Sequence, residues 1–212
     1  YPGGLYAGTT YYDKDSTVYY PYSLDDAKAL LEKVGLKDTD GNGVLNFPAG
    51  TAGGADVEIT VLANADYQTD KNLAEGVISM MEPLGIRVIA NFLTGTQRDA
   101  TEQSGKFDWR VARNGAELIA VVQNTVALAP TGPQISNSHR AGKDGTMDLL
   151  PFEQEMVDTV NAFIATDDAA KRQDLMKTYQ KLYTENLFGI GLTQYPGALI
   201  INKRFANIPA GA

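Results

Sequence analysis

Asp38, Asp40 and Asn42 alternate in the stretch KDTDGNGVLNF and Gly43 follows, the layout of the first half of a calcium loop. Calcium takes about six to eight oxygens, and an EF-hand loop draws them from alternate positions and closes with a bidentate glutamate at its twelfth residue. Counted from Asp38 the twelfth residue is Ala49, so the strongest ligand is missing. Two readings stand. One is a weak calcium site on Asp38, Asp40 and Asn42; the other is a tight turn in which Asp and Asn bond their own backbone and the glycines take positive φ. The turn is the expectation, with no cofactor required.

A second constellation is the run from Phe107 to Gly115, FDWRVARNG, with Glu117 just beyond it. Strand alternation puts Phe107, Trp109, Val111 and Arg113 on one face, and Asn114 lies at the C-terminal end, where open α/β sheets bind ligands. Trp109, Arg110, Arg113, Asn114 and Glu117 combine a stacking surface with bidentate donors and an acceptor, which suits a polar organic solute. The plainer reading makes Trp109 a core residue and leaves both arginines in water.

Other chemistries find no foothold. His139 is the only histidine, there is no cysteine, and no serine sits in a Gly-x-Ser-x-Gly turn, so neither a catalytic triad nor a zinc site assembles in recognisable form. Gly189-Ile190-Gly191 lacks the third glycine of a dinucleotide fingerprint. The pairs Asp25-Asp26 and Asp167-Asp168 would serve a glycosidase only if they faced each other across a pocket; at helix starts, capping explains them. No enzyme is expected, with a secreted glycosidase or a calcium-loaded interaction module as the rival readings.

The elements that must hold these residues follow from periodicity. Ser23 caps a helix with the stripe Ala27, Leu30, Leu31 and Val34, closed by Gly35. Val57, Ile59 and Val61 read as a strand, a helix from about Thr69 turns Leu73, Val77, Met80, Met81 and Leu84 inward, and Ile86 to Phe92 is the next strand. This βαβ unit predicts parallel pairing. A short helix from Thr94 to about Gln103 and a strand KFDWRVAR repeat the pattern, so the class is α/β. Residues 129–148 form a long loop, fit for a lid, a binding loop or a contact with structure elsewhere. Pro151 opens a helix with Met156, Val160, Phe163 and Ile164 inward; Thr166, Asp167 and Asp168 start another with Leu175, Tyr179, Leu182 and Tyr183 inward, making a helical hairpin. The ending LFGIGLTQYPGALIINKRF reads as strand pieces broken by Gly and Pro.

Of 212 residues, 43% are hydrophobic and 21% charged, enough for one sizeable core or two small ones. A net charge of -8 disfavours nucleic acid and anionic membrane surfaces. The N-terminus lacks a signal-peptide layout, and seven of the eleven tyrosines fall in residues 1–22 without periodicity. Such an aromatic segment is expected to lie along another surface, so the chain reads as an extended segment, 1–22, contacting a lobe outside this chain, and a single α/β lobe, 23–212.

The segments YSLDDAKALL, KDTDGNGVLNF, EPLGIRV, KFDW, TDDAAKRQDLMKTYQKLYTEN and INKRFANIP resemble, in that order, the C-terminal half of family 5 extracellular solute-binding proteins, the oligopeptide and dipeptide type receptors of bacterial ABC importers. The likeness spans about residues 20 to 210. It implies the C-terminal lobe of a type II periplasmic-binding-protein, or venus-flytrap, fold with a mixed sheet flanked by helices. It further implies a periplasmic or extracytoplasmic location, an N-terminal lobe as partner, permease subunits, a peptide-like or other small-molecule solute, and a structural role for the aspartate-glycine loop. One departure matters. Peptide-binding members carry an aspartate shortly after the strand resembling KFDW, to pair with the peptide ammonium; here no Asp lies between Asp108 and Asp144, and Glu117 is the only acid. An unpaired ammonium in a closed cleft is costly, so a sugar, an opine-like conjugate or a modified peptide fits better than an ordinary peptide.

Overall fold

A computed structural model describes residues 10–113, 125–133, 139–141 and 146–193. Its centre is a parallel three-stranded sheet in the order β2-β1-β3, built from β1 (Glu58–Asn64), β2 (Arg87–Leu93) and β3 (Trp109–Arg110). The alternation visible at Val57, Ile59 and Val61 stops there, because Val61, Leu62, Ala63 and Asn64 are all buried. A central parallel strand covered on both faces has no polar side to show. β3 is shorter than the predicted KFDWRVAR, but Asp108 N–H donates to the Thr60 carbonyl at 3.0 Å and Val111 N–H to that of Leu62 at 2.9 Å, prolonging its contact with β1.

Two helices cover opposite faces of the sheet. α2 (Gln68–Met81) joins β1 to β2, and its buried Ala74 packs with Val61 and Ala63, bordered by Ile59, Val88, Phe92 and Val111. α3 (Gly95–Gln103) joins β2 to β3, and its Glu102 pairs with Arg110, whose neighbour in register is Leu62. Adjacent residues of a strand point to opposite sides, so Arg110 and Val111 assign α3 and α2 to different faces. The chain leaves β1 toward one edge and, after β2, returns over β1 to the other.

A second core lies in the hairpin of α4 (Pro151–Ala165) and α5 (Ala169–Glu185), where Met156, Val160, Phe163, Met176 and Tyr179 are buried with Ala129. Pro151 occupies the first helical turn, and the N-cap of α5 is Asp168, which accepts from Lys171 N–H at 3.0 Å. Residues 10–20 lie along α5. Asp13 N–H donates to Gln180 Oε1 at 3.1 Å, Val18 N–H to Thr184 Oγ1 at 3.0 Å, and Tyr20 Oη to the Glu185 carbonyl at 3.0 Å. Buried Gln180 and Thr184 therefore serve the arm's backbone, as buried polar groups must be paired. Tyr11 and Tyr12 pack on the hairpin core, while Tyr19, Tyr20 and Tyr22 remain exposed.

Several apolar positions read from the sequence are not covered among the described residues. No residue of α1 (Leu24–Lys33) is buried, and Leu30 and Val34 are 61% and 65% exposed, although Ser23 caps the helix as predicted. An apolar stripe reports which face wants cover and not whether cover is present. Met80 of α2 and Ile164 of α4 are also exposed. The described part of 129–148, expected to be a long loop fit for a lid, a binding loop or a contact, includes a ribbon, β4 (Arg140–Ala141) antiparallel to β5 (Thr146–Met147). A mixed sheet was expected; among the described residues the three-stranded sheet is parallel throughout, and antiparallel pairing is found in the separate ribbon and in the bridges of Asn46 to Lys37 and Asp56. Residues 187–193 contain no strand, and the rest of the predicted C-terminal strand pieces lies outside the described residues.

Gly85 ends the 3-10 turn Glu82–Leu84 with φ 72, and an added Cβ would stand 3.2 Å from Leu45 Cγ and 3.3 Å from the Gly43 carbonyl oxygen. Gly85→Ala is expected to cost about 1–2 kcal/mol from left-handed strain plus crowding, read as a lowered midpoint in a urea titration with an unchanged slope.

Candidate functional site

The two constellations of the sequence sit at opposite ends of the sheet. Leu45 N–H donates to the Gly85 carbonyl and Val57 N–H to the Leu45 carbonyl, both at 2.7 Å, which fastens the aspartate-glycine loop just ahead of β1 and β2, at the N-terminal edge. Seven-residue strands place this about 20 Å from the C-terminal edge.

Within the loop, Asp38 accepts from Gly41 N–H at 2.7 Å and Gly43 N–H at 2.9 Å, Asp40 accepts from Asn42 N–H at 3.2 Å, and Asn42 Oδ1 accepts from Val44 N–H at 2.7 Å. Gly41 and Gly43 have φ 78 and 84. Buried Asn46 ties the loop together, accepting from both the backbone N–H and the hydroxyl of Thr39 at 2.8 Å and donating to Asp56 at 2.8 Å. Asp38, Asp40 and Asn42 are thus brought together, with their oxygens turned onto the loop's own N–H groups. Among the described residues no cluster of three His, Cys, Asp or Glu side chains is placed to hold a metal.

At the C-terminal edge, the segment after β1 and the segment after β3 approach each other. Asn64 Oδ1 accepts from Asp66 N–H at 2.9 Å, turning the chain out of β1, and Tyr67 becomes the N-cap of α2. Arg113, three residues past β3, lies over the Tyr67 ring with its Cζ 4.0 Å from the centroid. Its Nε stands 3.3 Å from Asp70 Oδ1, and its Nη2 stands 3.4 Å from Thr69 Oγ1. Asp70 is 4% exposed, whereas the Arg113 side chain is 55% exposed. The strand order reverses at β1, and the C-terminal edge at such a reversal is the place where open α/β sheets receive ligands.

The predicted residues divide accordingly. Trp109 is in register with Val61, on the α2 side of the sheet, and keeps 38% exposure, so it is not a core residue. Arg113 continues on that side. Arg110 faces the other way and pairs with Glu102. Asn114 and Glu117 lie outside the described residues. His139 Nδ1 is 3.1 Å from Glu153 Oε2, a buried carboxylate that also accepts from Leu150 N–H at 2.7 Å and so finishes the first turn of α4. Tyr67 and Asp70 escaped the sequence reading because ADYQTD serves as a helix start; its position directly after the first strand was the signal available.

Two outcomes follow from these contacts. Arg110→Ala removes the guanidinium facing Glu102 and should cost about 1–3 kcal/mol, discounted for partial exposure, in a chemical melt. The Gly43 N–H, helped by that of Gly41, holds the Asp38 carboxyl below its ordinary value of 3.8. A carboxylate whose pKa is depressed on folding stabilises above its unfolded value and loses that contribution as pH falls through the folded one. The melting temperature of Asp38→Asn should therefore lie below wild type at pH 7, and the gap should close as the pH drops below 3.8.

Comparison with known proteins gives a consistent outcome. A sequence profile for bacterial extracellular solute-binding proteins, family 5 Middle, matches residues 3–129. The periplasmic alpha-galactoside-binding protein of Rhizobium meliloti (strain 1021) is 62% identical over 212 residues, which is 100% of this chain and 31% of that protein. The periplasmic binding protein MelB of Agrobacterium fabrum C58, solved in complex with stachyose, is 58% identical with a TM-score of 0.89, covering 99% of this chain and 31% of that one. The oligopeptide-binding protein AppA from Bacillus subtilis, solved with a nonapeptide, is 16% identical with a TM-score of 0.61 over 85% of this chain and 33% of its own, a likeness of fold alone. The chain spans about a third of the length of these relatives. It has the α/β architecture of type II periplasmic binding proteins and belongs to the family 5 bacterial extracellular solute-binding proteins.

Proposed function

We propose that this chain forms part of the solute receptor of a bacterial ABC importer, working outside the cytoplasmic membrane, and that its solute is an α-galactoside oligosaccharide. The observation carrying this reading is identity of 62%, sustained along the whole chain, with a periplasmic alpha-galactoside-binding protein. The chemistry at the C-terminal edge supports it. A half-exposed indole offers a flat apolar face to the C–H side of a pyranose, and a guanidinium supplies donors to hydroxyl oxygens. Trp109 and Arg113 take those roles, with Asn114 and Glu117 following in sequence and Arg110 holding β3 against α3.

Peptide transport, an expectation drawn from the family's oligopeptide receptors, lacks comparable support. The relatives at 62% and 58% identity are described with an alpha-galactoside and with stachyose, while the likeness to an oligopeptide receptor stands at 16%. The absence of an aspartate between Asp108 and Asp144 removes the partner that a peptide ammonium would need. Binding without chemistry is the mechanism: the solute stabilises a closed arrangement of two lobes, which the permease subunits recognise. In the same reading the aspartate-glycine loop is a turn, and the tyrosines left exposed on the arm meet the other lobe.

Isothermal titration of the full-length receptor with stachyose and with a tetrapeptide decides between sugar and peptide. Stachyose should bind and the tetrapeptide should not, and Trp109→Ala should weaken stachyose about ten-fold or more. Peptide binding without sugar binding would reverse the assignment. Removing calcium with a chelator should leave the melting temperature unchanged.

A further inference from the structure

Arg113 is held on one face and along one edge by residues that the chain supplies shortly after β1. The Tyr67 ring lies beneath it at 4.0 Å, Asp70 faces Nε at 3.3 Å, and Thr69 faces Nη2 at 3.4 Å. We propose that Tyr67 and Asp70 are positioning residues that fix the Arg113 guanidinium as a charge-compensated donor fork, selecting a neutral polyhydroxyl solute over an anionic one. This rests on the reading that the solute binds beside the ends of β1 and β3.

Charge and geometry carry the argument. Arginine has five N–H donors in a rigid plane, and the contacts to Asp70 and Thr69 engage only one side of it. With the side chain 55% exposed, donors on its other side can reach a solute. Stacking on Tyr67 removes the rotational freedom that a long exposed side chain would otherwise lose on binding. Asp70 is buried with its carboxylate against Nε, so the positive charge of Arg113 is already matched before a solute arrives. In the sequence beside Asp70, Asp66 and Lys71 add one charge of each sign, so Asp66, Asp70, Lys71 and Arg113 together are formally neutral. An incoming carboxylate gains from Arg113 about what it loses to Asp70, whereas a hydroxyl needs only the donors. The same arrangement disfavours the opine-like conjugates that the sequence left open.

The test uses the full-length receptor, with stachyose as the neutral solute and trigalacturonic acid as the anionic one, at low salt. Arg113→Gln should weaken stachyose about ten-fold or more. Asp70→Asn keeps the shape and removes the compensating charge, so affinity for the acid should rise about ten-fold while that for stachyose falls. Tyr67→Leu should weaken stachyose without changing the preference between the two. A purely structural Asp70 would lower the melting temperature and leave the ratio of affinities in place, so an Asp70→Asn receptor that gains nothing for the acid overturns the proposal. Unchanged stachyose binding by Arg113→Gln would instead reject the site itself. Loss of stachyose affinity in Arg113→Gln with normal behaviour of both other variants rejects only the positioning roles.

Discussion

Two of the three strands of the parallel sheet flank β1 on opposite sides, and the positions of Trp109, Arg110 and Arg113 follow from that reversal. Connections of a parallel sheet cross over on one hand, so a chain that steps from β1 to β2 and then back past β1 to β3 must lay its two helices on opposite faces. Val111 against the α2 core and Arg110 against Glu102 of α3 record the outcome. In open α/β sheets the edge at such a reversal is where ligands are received, here beside the ends of β1 and β3. Tyr67 and Asp70, after β1, meet Arg113, after β3, at this edge.

The rest of the described structure holds this edge still. β1 can be central because Leu62, Ala63 and Asn64 are buried on both faces, and the turn at Asn64 and Asp66 delivers Tyr67 to the head of α2. At the far end, the network of Thr39, Asn46 and Asp56 and the close approach at Gly85 clamp the strand starts. The helical hairpin is a separate core, its buried Gln180 and Thr184 accept hydrogen bonds from the backbone of the aromatic arm, and Tyr19, Tyr20 and Tyr22 are exposed.

Local features of this arrangement were legible in the sequence, and those that need distant partners were not. Ser23 and Asp168 as caps, Pro151 at a helix start, Gly41 and Gly43 in a turn and the parallel βαβ unit all follow from short-range chemistry. Trp109 and Arg113 were visible because they alternate on a strand. Tyr67 and Asp70 were not, since strand order is set by pairing across the sheet and ADYQTD looks the same whether or not β3 lies beside it. Asn46 was missed for a similar reason: its partners Thr39 and Asp56 stand 7 and 10 residues away. The stripe of α1 is an apolar face that periodicity identifies, and no residue of that helix is buried among the described residues.

Amide hydrogen exchange of the full-length receptor, with and without stachyose, tests most directly whether the solute lies beside the ends of β1 and β3. The account predicts added protection at residues 64–70 and 109–113 and none at 38–46, at the opposite edge. Protection at the aspartate-glycine loop with none beside Tyr67 and Arg113 would contradict it.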